Sequence, residues 1–408
     1  MHLLTQPLGI LGLAVAFCLV GIIVLPLFVR WIDQQLGYVI LAIGGGMLWL
    51  SLRLHLVQFG SGCFIQIFLD GRQTALDRLL LESWVLIACY FLLSLLASVF
   101  HRQIKRSIRL WARKMSPPMM IFLWVLLAGS LGSLSVVVLS VIGAIFFSTL
   151  SEVTGKDYTP CIVVYAAALG LSALLTTIGE PLSLFIAHAI GGGTPYLLRT
   201  FGATYVINIL CLSSATWFLA KRARHLPGTV EERMIKDVHR AERAMARERN
   251  HEEVKEALRT VEEFEEEKHD FSHTLDQILH STTKLYFFVV GLLFFGEATK
   301  PIVVEVFSHL SPLAAFFGNA ISAVADNALL GLLEIQPGMP QSLVFVLGIS
   351  LALWGVGLVP GNVCNVVLKE KLSIPFKRWA MTGIPCACAL ALLNVSLYES
   401  GIARWLMF

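Results

Sequence analysis

The chain has 408 residues, 56% of them hydrophobic and 14% charged, with a mean hydropathy of +0.73. Soluble domains carry about 25% charged residues, so the composition excludes an ordinary soluble protein and predicts a polytopic membrane protein. A net charge of +3 is too small to suggest nucleic acid as a partner. The eight cysteines form neither a zinc spacing nor a C-x-x-C motif, and most lie in apolar runs, where they read as small hydrophobes.

A helical span needs about 20 mostly apolar residues. Gly9–Phe28 meets that; it lacks a basic flank in front, so it is expected to be a span rather than a cleaved signal. Tyr38–Val57 and Leu79–Phe100 also qualify. Gly60–Gln73 is short and glycine-rich, and is expected at the interface. Arg102, Lys105, Arg106, Arg109, Arg113 and Lys114 follow, and the positive-inside rule puts them in the cytoplasm. Met119–Leu150 is too long for one span and too short for two. Gly129–Ser135 interrupts it, which predicts a re-entrant hairpin of two short half-helices, and such backbone is tolerated only against protein or a wet cavity.

Cys161–Ile178 then runs into Gly179-Glu-Pro-Leu-Ser183, where Pro181 predicts a broken helix with an acid at the break. Tyr196–Ala220 is a further span ending in Lys221, Arg222 and Arg224. Thr229–Asp270 is dense in Glu, Arg and Lys, with Val254, Leu258, Val261 and Phe264 at helical spacing. That pattern predicts a cytoplasmic amphipathic helix or helical hairpin, with regulation or homodimerisation as its expected use. Lys284–Phe307 is the next span. Leu313–Leu333 is a second hairpin-like run, and Ser342–Val359 leads into a second break at Pro360–Asn365. Trp379–Leu397 closes the chain.

The order of these pieces repeats. Ser116-Pro117 answers Ser311-Pro312, Gly179-Glu180 answers Gly361-Asn362, Pro195-Tyr196 answers Pro375-Phe376, and Gly202 answers Gly383. Loop charges give the two copies opposite orientations. The expected fold is therefore an all-α polytopic membrane protein, an inverted-topology repeat with two re-entrant hairpins and two broken helices. Both termini are expected outside. The expected division is residues 1–77 as N-terminal helices and an external loop, 78–225 as the first repeat, 226–283 as the charged insert and 284–408 as the second repeat. Inverted repeats with paired broken helices point to a secondary transporter, with its site at the repeat interface near the midplane.

The segment SAVADNALL at Ser322–Leu330 resembles the S-A-x-x-D-N-x-P-L motif of NhaD-type sodium/proton antiporters, with Leu329 near where that family often has proline. GNVCNVV at Gly361–Val367, with Ile374-Pro-Phe376 and Gly383, resembles the second-half signature of the wider ion transporter superfamily. That superfamily also holds arsenite and dicarboxylate carriers. GEPLSL at Gly179–Leu184 resembles bacterial sodium/proton antiporters. The resemblance covers about Met119–Leu397 without the insert. It implies exchange of sodium for protons in a bacterial inner membrane, with lipid and the two ions as partners and no cofactor.

Asp326 is the only formal charge between Phe317 and Leu333, and Glu180 sits at the first break. Acids inside a membrane are costly, and by default they bind, pair or relay. Asn327, Asn362, Asn365, Ser322, Ser183, Thr177 and Ser135 add neutral oxygens, which suit a hard cation such as sodium. Asp326 and Glu180 are the expected sodium ligands. Glu297 is a third candidate acid, although Lys300 stands three residues on, suited to pair with it. His188 reads better as a hydrogen-bonded interface residue than as a proton shuttle, and Asn208 and Asn394 as bonds between spans. The alternatives are an anion carrier of the dicarboxylate or arsenite type, which acids at both breaks disfavour, and a membrane scaffold using the insert as a dock. A hydrolase is disfavoured because neither H-E-x-x-H nor G-x-S-x-G occurs. A transporter, not an enzyme, is the expectation.

Overall fold

The computed structural model describes residues 7–54, 99–177, 192–225, 310–320, 327–335 and 339–402. It also describes scattered positions within 88–96, 180–190 and 276–302. Asp326, Ser322, Glu297, His188, Lys300, the charged insert, Gly60–Gln73 and most of Leu79–Phe100 lie outside the described residues. Every element among the described residues is helical, apart from one isolated bridge between Lys156 and His225. Among the described residues, five helices are long and apolar enough to cross a membrane. Their outward faces carry bare apolar side chains, among them Phe17 on the first, Val206, Leu210 and Phe218 on the fourth, and Leu392 on the last. Such faces are costly in water and at home in lipid. The protein is an all-α membrane protein.

The N-terminal helices are α1 (Pro7–Phe28), α2 (Arg30–Gln34) and α3 (Leu36–Arg53). A basic helix, α4 (His101–Lys114), leads into α5 (Pro117–Leu131), α6 (Val136–Thr154), α7 (Thr159–Ala173) and α8 (Thr194–Lys221). The second half has α9 (Pro312–Gly318), α10 (Asn327–Glu334), α11 (Gln341–Trp354), α12 (Val363–Lys371) and α13 (Phe376–Glu399). Proline starts most of these helices. It occupies the first turn of α5, α7, α8 and α9 and the N-cap of α11 and α13. An N–H missing there costs nothing, because the first turn has no intrahelical acceptor for it.

Helices α7 and α11 form the centre. Every residue of α7 except Pro160 is buried, as is Val344–Leu353 of α11. A helix apolar all round belongs inside a protein. The second central helix stops 181 positions after the first (354 − 173), so the two breaks keep the sequence register. Both stop earlier than expected. The runs to Ile178 and Val359 stay apolar, but the backbone leaves the helix at Ala173 and Trp354.

The first hairpin turns where the sequence is interrupted, between Leu131 and Val136, and Ser135 accepts from the Val138 N–H to start α6. Its return is shown by Lys105 of α4, which meets Glu152 near the end of α6 at 3.1 Å. The expectation of two short arms is corrected, because α6 has 19 residues and is itself long enough to span. Helices α5 and α7 run parallel, with Gly129 against Ala168 and Gly132 against Ser172. The second hairpin differs in its first arm. The Phe316 carbonyl accepts from Trp354 Nε1 (2.9 Å) and Asn319 Nδ2 donates to Ser350 Oγ (2.8 Å), so α9 runs antiparallel to α11.

One end of the molecule gathers the charges. Glu152 holds Lys105, Asp157 holds Arg378 at 3.0 Å, and the Asp157 N–H donates to the Arg224 carbonyl. Asp33 of α2 receives the Phe376 N–H and pairs with Lys369 at 3.0 Å, and Lys284 reaches the Gln34 carbonyl. Lys369 is buried and paired, because α12 ends against α2. Between the closing helices, Asn208 and Asn394 exchange two hydrogen bonds of 3.0 and 2.9 Å, as their sequence positions suggested.

Glycine sets one close contact in the core. A Cβ on Gly143 of α6 would meet the Tyr165 ring, whose hydroxyl donates to the Leu139 carbonyl at 2.7 Å. Gly143→Val is expected to displace that ring and cost about 1–3 kcal/mol. The check is thermal unfolding of the purified protein in detergent, which should shift down; an unchanged midpoint would show that the ring moves freely.

Candidate functional site

The two breaks meet each other. Beyond Ala173 the chain turns and reaches Glu180 in non-helical backbone. Beyond Trp354 it makes a 3-10 turn at Val359–Gly361, and Asn362 then begins α12, its own Oδ1 accepting from the Cys364 N–H at 3.2 Å. That cap turns the other end of the carboxamide outward, and Asn362 Nδ2 donates to Glu180 Oε2 at 3.3 Å. Asn327 is the first residue of α10, and its Nδ2 donates to Glu180 Oε1 at 3.5 Å. Both contacts are longer than the usual 2.7–3.2 Å, so each amide holds the carboxylate weakly.

Two glycines make room for these amides. A Cβ on Gly170 would come within 3.1 Å of Asn362 Nδ2, and one on Gly355 within 3.5 Å of Asn327 Nδ2. The start of α12 and the Asn327 side chain of α10 therefore converge on one acid. The positive end of a helix favours negative charge, and amide donors replace the water that a buried carboxylate has lost. Cys364 is fully buried beside the site, with its Sγ directed at the Ala166 carbonyl (3.7 Å).

The expected site residues divide into two sets. Glu180, Asn327 and Asn362 are brought together. Asn362 does so through its nitrogen, which corrects the expectation that it offers an oxygen. Asn365 is also turned to another use. Its Nδ2 donates to the Gly355 and Leu358 carbonyls, both at 2.8 Å, just past the end of α11; Leu358 also accepts from the Gly361 N–H at 3.3 Å. Ser183 donates to the backbone carbonyl of Glu180 (2.8 Å), Ser135 caps α6, and Thr177 lies against Thr194 (3.3 Å) at the start of α8. Thr176 donates to the Ser133 carbonyl, tying the first break to the first hairpin turn. Asp326 precedes Asn327 in the chain but is not among the described residues, nor are Ser322 and Glu297. Sequence reasoning missed Glu334, which lies buried with Asn319 at the far side of α10. The signal was present: Glu334 stands between Leu333 and Ile335 with no charge near it in sequence.

A family model described as "Protein of unknown function (DUF1646)" matches residues 12–398. The chain belongs to this family. No curated protein matches the sequence. The match takes in both breaks, both hairpin runs and the charged insert, so the whole arrangement around Glu180 falls within the family's extent.

Asn365 supplies the test of how the second break is held. Asn365→Ala removes a donor from both carbonyls; Leu358 keeps the Gly361 N–H, and the Gly355 carbonyl is left unsatisfied at a cost of about 1–3 kcal/mol. The expected outcome is a clearly lower unfolding midpoint in detergent. A wild-type midpoint would mean the carbonyls find other donors.

Proposed function

We propose that the protein is a secondary transporter that exchanges sodium for protons across a bacterial inner membrane. The observation that carries the reading is the Glu180 carboxylate, held between Asn327 and Asn362 where two interrupted helices meet. A carboxylate in an apolar layer is stable only when paired, protonated or holding a cation. One that alternates between proton and sodium couples the two ions without further machinery. Asp326 is the second acid of the proposal, because it adjoins Asn327 and stands in the segment that resembles the NhaD motif.

The reading of an inverted repeat draws support from the pairing of the halves. Cys364, just past the second break, packs on Ala166 of α7, while Ile186, just past the first, packs near Gly348 of α11. Each central helix thus lies against the continuation of the other, as two antiparallel broken helices must. The charged end, with its excess of lysine and arginine, belongs in the cytoplasm by the positive-inside rule. The anion-carrier alternative is weakened by the same site. The start of α12 could receive an anionic substrate, but a carboxylate of the protein already occupies that place.

Two experiments test this. Sodium-driven proton flux in proteoliposomes should fall to the protein-free background in Glu180→Gln and in Asp326→Asn, with both variants still folded; wild-type flux in Glu180→Gln would overturn the assignment. For topology, single cysteines at Arg113 and at Ser342, in a background without native cysteines, should label from the cytoplasmic and the external face respectively. Labelling of both from one face would refute the inverted arrangement.

A further inference from the structure

Glu334 ends α10, seven residues and so about 10 Å of helix away from Asn327 and the Glu180 site. It is only 5% exposed. Neither of its carboxylate oxygens has a hydrogen-bond partner. Among the described residues no lysine, arginine or histidine pairs with it. The Asn319 carboxamide lies beside it, itself fully buried. Asn319 is oriented by Ser350 of α11, whose hydroxyl accepts from Asn319 Nδ2 (2.8 Å) while donating to the Leu347 carbonyl (2.8 Å). Asn319 Oδ1 is left with no donor. Three buried oxygens, two from Glu334 and one from Asn319, therefore lie without a settled hydrogen-bond partner among the described residues. Neither α9 nor α11, the helices that pack here, carries a titratable side chain.

We propose that Glu334 and Asn319 form a second cation site, taking one monovalent cation in exchange for the proton of the Glu334 carboxyl. A proton alone supplies one donor and leaves two oxygens unmet. A hard cation accepts several oxygens at once. A single carboxylate among neutral oxygens balances one positive charge. A divalent ion would leave net charge in an apolar setting, which is costly. The step is balanced: the carboxyl O–H breaks, the proton leaves to solvent and the cation takes its place against the carboxylate. This site stands apart from the Glu180 reading and does not depend on transport.

The test uses the full chain in detergent, in a Glu180→Gln, Asp326→Asn background that removes the acids of the other site. Sodium or lithium chloride, compared with equimolar choline chloride, should raise the unfolding midpoint by about 2–4 °C at saturating salt. The shift should be larger at about pH 8 than at about pH 6, because proton and cation compete for one group. Adding Glu334→Gln should abolish the shift. If that variant does not fold, Asn319→Ala in the same background keeps the acid and should reduce the shift. No cation-specific shift in the background protein overturns the proposal, as does a shift unchanged by Glu334→Gln or Asn319→Ala, or one produced by divalent ions alone. Failure here leaves the Glu180 flux test standing, and failure there leaves this one standing.

Discussion

A helix that stops inside an apolar layer exposes backbone groups that have no water to turn to. In hydrocarbon each unmet group costs several kcal/mol, so the ends of α7 and α11 can exist only because other parts of the chain serve them. Asn365 serves the second break with its amide. Thr176 ties the first to the turn of the α5–α6 hairpin. The rest of the architecture follows from keeping these partners in place: two central helices buried over most of their length, the α5–α6 hairpin tied to the first break, and long outer helices facing lipid.

The same constraint gathers the chemistry. A break that must be capped needs short polar side chains, and Asn362 caps α12 with its oxygen. Its nitrogen is then turned toward the other break, where Glu180 stands. Each half thus contributes to the other's site, and the acid is stabilised by donors it does not own. This is why we read the meeting point of the breaks, rather than any one helix, as the place where an ion would be handled.

Much of this was legible in the chain because glycine, proline and charge are strong punctuation in apolar sequence. Pro117, Pro195, Pro312 and Pro375 marked helix starts, and the Gly129–Ser135 interruption marked a turn. Asn208 and Asn394 bond as their places in apolar spans implied. The helix ends were harder. Leu174, Leu175 and Val356 are as apolar as the helices before them, so composition does not register where the backbone turns. The use of each amide was also hidden. Nothing in the one-dimensional pattern tells whether an asparagine offers its oxygen or its nitrogen, since that is decided by which backbone group lies within reach. Glu334 escaped notice because an acid at the end of an apolar run looks like an ordinary boundary, and only packing shows it enclosed.

The pair between Asp33 and Lys369 ties the periphery to the centre. Lys369 belongs to α12, the segment that begins at Asn362, and Asp33 belongs to the short corner between α1 and α3. Both side chains are largely enclosed, and loss of one partner from such a pair costs about 3–5 kcal/mol. The corner of the outer helices is thereby coupled like a lever to the helix that carries Asn362. A displacement of α12 large enough to alter its hold on Glu180 either drags the α1–α3 corner along or leaves Lys369 with Glu370 of its own helix in place of Asp33, so the N-terminal helices add to the stiffness against which the break can move.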